Sequence, residues 1–265
     1  MFFNELVSGL WPYGYYEADA VLSHDFVRAS DAFIYVSGID LERIPTTRCW
    51  SAWGLKTESG IVKYTDIDHA IQSHRIVNLT NLLDDSLHLN IVDLGSGFGG
   101  MAEKLQGMAS ANVTIYLVDI PLNLVNAYAY LGHIFGRDSV ALIKDRKELS
   151  FQEFGRGTPW KFILVPSVFS DTLSENVEIS VLNNNGSLSE MDFETIEYYL
   201  ETFLSDNTEI FVETNSNREQ MNTGSHAEVP SSMFPVPASH RLISRTPAWP
   251  SQAVSRYVTS IYKRH

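Results

Sequence analysis

Ile91-Val92-Asp93-Leu94-Gly95-Ser96-Gly97-Phe98-Gly99-Gly100 is the stretch on which the reading of this 265-residue chain turns. A short apolar run meets an acid, then glycines at 95, 97, 99 and 100, then the helix-compatible segment Met101 to Met108. That order spells a strand, a tight turn and a helix start. Glycine suits positions where the backbone takes unusual dihedrals or a ligand comes close. The amides at a helix N-terminus can meet a negatively charged group. A nucleotide-like cofactor is the natural occupant of such a turn; a glycine-rich turn that binds nothing is the alternative.

Two patterns fit this loop. Gly95, Gly97 and Gly100 satisfy the dinucleotide fingerprint, which alone is weak evidence. Asp93, two residues before the first glycine, makes a different one, Asp-x-Gly-x-Gly-x-Gly. It resembles motif I of the class I S-adenosylmethionine-dependent methyltransferases. The resemblance implies that Asp93, Gly95, Ser96, Gly97 and Gly99 line the cofactor, the loop running under its methionine part and the acid organising its ammonium end.

The rest of the chain narrows the class. Its length allows one large domain or two small ones. No run reaches the length of a membrane-spanning helix. Met1-Phe2-Phe3-Asn4-Glu5 has no basic region ahead of its apolar residues, so a signal peptide is not expected. Cys49 is the only cysteine, which excludes an intrachain disulfide and a cysteine-based zinc cluster. A cytoplasmic location follows as the simplest expectation. The formal net charge of -13 argues against a nucleic-acid partner, which draws on clustered Lys and Arg.

Residues 1–85 precede the glycine loop. Phe3, Leu6, Val7, Leu10 and Trp11 follow a helical spacing that Pro12 and Gly14 break. A second helix is expected from Asp68 to Leu83, with His69, His74 and Arg75 on it. This part reads as a mainly helical cap serving substrate selection, homo-oligomerisation or both. Residues 86–265 then form the cofactor-binding domain.

From Asn90 onward strands and helices alternate. The strand Val113–Val118 ends in Asp119, which lies 119 − 95 = 24 residues after the first glycine. A carboxylate at the end of a second strand suits acceptance from two ribose hydroxyls, as the acid about 20 residues on does in the dinucleotide fingerprint. A plain helix-leading acid before Pro121 is the alternative; a helix runs from Pro121 to about Phe135, proline being tolerated in a first turn. Residues 137–158 are harder to place: Val140–Ile143 reads as a short strand and Asp145–Glu148 as a solvated turn. The stronger strand is Lys161–Val165, followed by Pro166-Ser167-Val168-Phe169. In the resembled family the exit of the third strand meets the adenine, which selects Ser167 and Val168, with Asp145 the rival if the earlier segment is the third strand.

The next strand is Val177–Leu182, running into the turn Asn183–Met191. Ser189 with Asp192 fits a capping box for the following helix. Glu209–Glu213 is a further strand, with Asn215 at its exit. Ligands in open α/β sheets sit outside the carboxyl ends of the strands. That geometry gathers Asn184, Asn185, Glu190, Glu213 and Asn215 at one crevice. A long irregular stretch, about 215–239, carries His226, and Arg241–Arg245 and Arg256–Tyr262 read as two late strands. Two late strands forming an antiparallel hairpin match the methyltransferase fold, whereas a dehydrogenase would more usually add another strand–helix unit. The fold expected is therefore Rossmann-like α/β: a seven-stranded, mostly parallel sheet with a C-terminal antiparallel hairpin and an N-terminal helical cap.

Three stretches sharpen the resemblance. Leu117-Val118-Asp119-Ile120-Pro121, followed by a helix with Tyr128 and Tyr130, looks like the second-strand region of the sugar O-methyltransferases of bacterial polysaccharide loci. Gly186-Ser187-Leu188-Ser189-Glu190-Met191 resembles that family's Ser-Phe-x-Glu-Met stretch, with Leu188 in place of the aromatic, and Glu213-Thr214-Asn215 resembles its fifth-strand exit. The resemblance covers about residues 60–262 and implies methyl transfer from S-adenosylmethionine to a sugar or glycan hydroxyl, with Asp119, Ile120 and Asn184 added to the cofactor site. A neutral hydroxyl is a poor nucleophile, so a base should take its proton. Glu190 and His226 are the expected bases, the alternatives being a helix-leading acid and an ordinary exposed histidine. The scattered acids show no metal spacing, and no metal is expected. The rivals are a nicotinamide-dependent oxidoreductase and a non-catalytic binding protein on the same fold.

Overall fold

The computed structural model describes residues 55–56, 61–62, 64–80, 88–109, 112–150, 161–204, 208–217, 228–248 and 257–265. A two-residue ladder joins Leu55–Lys56 to Ile61–Val62. Helix α1 (Tyr64–Thr80) leads into strand β1 (Leu89–Leu94) and helix α2 (Gly100–Met108). Then come β2 (Val113–Asp119), α3 (Pro121–Phe135), β3 (Val140–Leu142) and the short α4 (Arg146–Ser150). Next are β4 (Phe162–Pro166), α5 (Ser170–Asn176), β5 (Ile179–Asn185) and α6 (Phe193–Phe203). β6 (Thr208–Ser216), β7 (His240–Pro247) and β8 (Tyr257–Arg264) finish the described chain.

Alternation along the strands builds two cores, because successive side chains point to opposite faces. Ile91, Ile115, Leu117, Val181, Ile210 and Val212 face α1, α2 and α3, where Ile76, Leu105 and Leu131 meet them. Val92, Leu94, Tyr116, Val118, Leu182 and Phe211 face the other way, against Leu173 of α5 and Ile196, Leu200 and Phe203 of α6. With helices on both faces, β1 and β2 are apolar nearly throughout, as parallel strands covered on both sides should be.

The strand order is β3-β4-β2-β1-β5-β6-β8-β7. β1 to β6 are parallel, and β8 lies antiparallel between β6 and β7. This is the mostly parallel Rossmann-like sheet with a C-terminal antiparallel hairpin expected from the sequence. Among the described residues it has eight strands rather than seven: Val140–Leu142 and Phe162–Pro166 both join, the shorter at the edge and the longer beside β2. Neither segment displaces the other because a three-residue strand needs only one partner at an edge. The chain builds outward from β1 through β2, then returns to the other side of β1 with β5. The switch point is thus between β1 and β5, and ligands of open α/β sheets sit at such a point, outside the carboxyl ends of the strands.

Several boundaries move for local reasons. β5 runs three residues past the expected Leu182, since Asn183, Asn184 and Asn185 keep pairing with Val212, Glu213 and Thr214. Part of the expected turn at Asp145–Glu148 is the start of α4. α1 begins at Tyr64 rather than Asp68. α3 keeps the expected bounds, ending at Phe135, where Gly136 takes φ 89°.

α1 is the only helix of residues 1–85 among the described residues, and it packs on the sheet domain. Ser73 Oγ donates to the Met101 carbonyl at 3.2 Å. Lys104, fully buried, donates to Asp66 of α1 at 3.1 Å and to its neighbour Glu103 at 2.9 Å. Tyr130 of α3 closes the cluster with its hydroxyl 2.7 Å from Glu103 Oε2. A buried charge survives only when paired and hydrogen-bonded, so this cluster fixes three helices to one another. The helix expected at Phe3–Trp11 lies outside the described residues.

Candidate functional site

The glycine loop is a set of four backbone solutions with different causes. Gly95, Gly97 and Gly99 have φ of 71°, 56° and 89°, a region that L side chains avoid. A β-carbon on Gly95 would lie 1.9 Å from Ser187 Oγ, so loop and β5 turn are in contact. Gly99 is packed under Leu131, and Gly100 under the ring of His69. Gly97 differs: nothing lies within 4 Å of its missing β-carbon. It is the open tip of the loop. Phe98 is set edge-on to Tyr130 at 5.0 Å and to His69 at 6.2 Å, which holds the tip in place.

Asp119, at the end of β2, reaches back to this tip. Its Oδ2 accepts the Gly97 amide at 2.7 Å. Its Oδ1 accepts the Ile120 amide at 2.7 Å and Asn123 Nδ2 at 2.9 Å. Burial raises the Asp119 pKa above the ordinary carboxylate range, against the pull of these three donors. Asp93 lies one strand over, buried, and accepts Asn183 Nδ2 at 2.8 Å. Burial first, and the neighbouring Asp119 charge as well, push Asp93 to about 7. Two acids on adjacent strand ends therefore share a small, desolvated space.

Asn184, expected at the cofactor, has its amide fully committed within the protein. It donates to the Leu94 carbonyl at 2.8 Å and to Ser187 Oγ, and accepts the Leu188 amide at 3.2 Å and Asn215 Nδ2 at 2.9 Å. An amide has two donor hydrogens and two acceptor lone pairs, so none is left for a ligand. Asn184 positions the loop. Asn215 continues the network: its Oδ1 accepts the Ser189 amide at 3.2 Å and its Nδ2 reaches Glu213 Oε2 at 3.0 Å. Glu213 is buried, and that burial raises it to about 7.

The capping box expected from Ser189 is not formed. Asp192 is the N-cap of α6, its side chain accepting the Thr195 amide at 2.7 Å. Ser189 is instead buried in the 3-10 turn Leu188–Glu190, where its carbonyl accepts the Val229 amide. Glu190 is the exposed end of that turn, three residues before α6 begins. His226 lies outside the described residues.

Ser167 and Val168 open a 3-10 turn after β4. Because β4 is next to β2, with Pro166 opposite Asp119, this exit is beside the Asp119 carboxylate. Val168 and Ile120 are both exposed there, 61% and 53%, giving the crevice two apolar flanks. Asp145 sits beyond the edge strand and accepts the Lys147 amide at 3.0 Å, which makes it a turn-former.

Residues that sequence reading passed over come from α1. Asp68 Oδ2 lies 3.4 Å from Asn185 Nδ2 at the end of β5. Burial raises Asp68 to about 6. Arg75, two turns on, donates to Gln72 Oε1 at 2.8 Å and to Thr259 Oγ1 of β8 at 2.9 Å. The signal was present as polar residues at i, i+4 and i+7 of an amphipathic helix, but such a stripe usually faces water.

The residues present fit the adenosyl sulfonium cofactor expected above. The open space at Gly97 would be filled by a β-carbon. Ser96 Oγ is buried without a partner among the described residues, a donor available to a carboxylate. Asp119 sits where ribose hydroxyls would meet it. Among the described residues no group of three or more His, Cys, Asp or Glu is arranged to hold a metal ion, and no helix is long and apolar enough to cross a membrane.

No family model matches the chain. No curated protein sequence matches it. Solved structures similar in fold include the mitomycin 7-O-methyltransferase MmcR, at 13% identity and TM-score 0.45 over 74% of this chain and 54% of that one. TrmN from Thermus thermophilus aligns at 10% identity and TM-score 0.48, over 74% of this chain and 49% of its own. Magnesium protoporphyrin IX methyltransferase (ChlM) from Synechocystis PCC 6803, with SAH bound, aligns at 10% identity and TM-score 0.48, over 78% and 90%. The chain spans about half the length of the first two. The fold assignment stands on the strand order and hairpin described above.

Proposed function

We propose that this chain is an S-adenosylmethionine-dependent O-methyltransferase whose acceptor is a sugar or glycan precursor, acting in the cytoplasm. One observation carries the cofactor reading: the Asp119 carboxylate at the end of β2 and the open Gly97 tip of the loop after β1 meet at 2.7 Å. The sugar acceptor is supported by the resemblance of Gly186–Met191 and Glu213–Asn215 to the sugar O-methyltransferases, and both stretches belong to the network that braces the crevice.

When bound, the cofactor supplies a methyl group on a positively charged sulfur. The chain's own residues do the rest. Gly97 leaves room for the ligand backbone, Asp119 takes the ribose hydroxyls, and Ser96 Oγ donates to the carboxylate. Ile120, Ser167 and Val168 flank the adenine. Asp93, beneath the loop, holds the ammonium end. Holding acceptor and donor in line supplies much of the rate by itself. Glu190, on the turn after β5, and His226, between β6 and β7 in chain order, are the proton acceptors suggested by the sequence.

The test is calorimetry of the purified chain with S-adenosylmethionine and, separately, with a nicotinamide dinucleotide. Asp119→Ala should weaken binding of the sulfonium cofactor about tenfold or more, two charge-assisted hydrogen bonds being worth about 1.5–3 kcal/mol each at most. Binding of the dinucleotide in its place would make the protein an oxidoreductase.

A further inference from the structure

The polar stripe of α1 has no role in the mechanism above. Asp68, Gln72 and Arg75 lie on one side of the helix, at i, i+4 and i+7. The stripe runs over the carboxyl ends of β5 and β6 and the amino end of the antiparallel β8. Asp68 meets Asn185 of β5. Asn185 is in register with Thr214 of β6, Thr214 with Thr259 of β8, and the two threonine hydroxyls are 2.9 Å apart. Arg75 stands over Thr259. The adjoining His69 packs on Gly100, so the Asp68 end of the stripe borders the cofactor loop.

Three features of this patch are unusual for mere packing. Arg75 is partly buried, yet both of its described partners are neutral oxygens on a single nitrogen, Nη1. Its Nη2 and Nε therefore keep three N–H donors without a partner among the described residues. No described carboxylate comes within salt-bridge distance of it, and Asp68 acts on it only across space. Gln72, 1% exposed, turns its carbonyl to Arg75 and leaves Nε2 without a partner among the described residues. A buried, unpaired amide nitrogen beside an unneutralised guanidinium is costly unless an acceptor fills the place. In a chain of net charge -13, keeping that guanidinium clear of acids is not the default.

We propose that this face of α1 is the acceptor subsite: Arg75, with Gln72, binds an oxyanion on the acceptor, and Asp68 receives the proton of the hydroxyl that is methylated. This rests on the methyltransferase reading and names its substrate class, a sugar carrying a phosphate ester or a carboxylate. Asp68 and Arg75 are seven residues apart, about 10 Å along a helix at 1.5 Å per residue. That spacing is on the order of the length of a hexose with its anionic substituent. The acceptor oxygen gains the methyl carbon as the carbon–sulfur bond breaks. That bond's electron pair stays on sulfur, and the hydroxyl proton ends on the Asp68 carboxylate.

The full chain, loaded with S-adenosylhomocysteine, is titrated calorimetrically with glucose 6-phosphate, glucuronate and methyl glucoside. One or both anionic probes should bind at least tenfold more tightly than the neutral one, and which does so separates phosphate from carboxylate recognition. Arg75→Gln should remove that preference and Arg75→Lys should restore part of it, with S-adenosylmethionine affinity unchanged within about twofold. With the better probe as acceptor and labelled cofactor, Asp68→Asn should lower methyl transfer by a hundredfold or more at unchanged S-adenosylmethionine affinity. Equal binding of neutral and anionic probes, or undiminished anion binding by Arg75→Gln, overturns the subsite. Wild-type transfer by Asp68→Asn, or a loss traced to cofactor affinity, overturns the role of Asp68. Failure of the wild-type chain to bind S-adenosylmethionine at all would instead refute the functional reading beneath it.

Discussion

Two single-atom additions to the glycine loop should act differently, one mainly on stability and the other mainly on cofactor affinity. Gly95→Ala places a β-carbon 1.9 Å from Ser187 Oγ and 2.5 Å from Ser187 Cβ, at φ 71°. The left-handed backbone costs about 1–2 kcal/mol for an alanine. Relieving the clash moves Ser187 and breaks its hydrogen bond to Asn184, about 1 kcal/mol more. The sum, about 2–3 kcal/mol, corresponds to roughly 4–12 °C in Tm for a chain of this size. Gly97→Ala meets no atom within 4 Å and pays only the backbone cost, about 1–2 kcal/mol. Its new methyl, however, enters the space assigned to the cofactor, so affinity for S-adenosylmethionine should fall well beyond tenfold. Urea denaturation of both variants, each with and without Ser187→Gly, measures the difference. Ser187→Gly should cost about 1 kcal/mol beside Gly97→Ala, through the lost hydrogen bond to Asn184, and nothing further in the Gly95→Ala background, where that bond is already broken. Equal stability losses in the two variants, no coupling to Ser187 and unaltered cofactor affinity for Gly97→Ala would refute this division of the loop.

Lys104→Ala should destabilise the fold by about 3–5 kcal/mol, since it leaves Asp66 and Glu103 buried beside an empty place; the chemical denaturation midpoint reads it. Stability should also fall as pH rises. Asp93 and Glu213 both have folded pKa values near 7, above their unfolded values, so their contribution is complete below about pH 4 and is lost as pH climbs through 7. Asp93→Asn, which keeps the acceptor for Asn183, should flatten the fall between those limits; an unchanged slope in denaturant midpoints would show that Asp93 does not titrate there. Asp192→Ala, which removes the cap of α6, should lower the denaturant midpoint, whereas Ser189→Ala should lose no cap.

What could be read from the chain alone follows contact distance along it. Strand, turn and helix at Ile91–Gly100 were legible because apolar run, acid and glycines sit side by side and act through local backbone preferences. Asp119 was legible for a similar reason: a strand ends, Pro121 opens a helix, and the acid is between them. The tertiary structure decided the matters that depend on partners far away. Asn183–Asn185 resemble a turn, yet Val212–Thr214 hold them in a ladder. Asn184 looked like a ligand contact until Leu94, Ser187, Leu188 and Asn215 were seen to use its whole amide. Asp68, Gln72 and Arg75 resemble a solvated helical face until β5 and β8 arrive beneath them. Backbone preference is a property of neighbours in sequence, but the fate of a polar side chain is set by whichever group reaches it first in space.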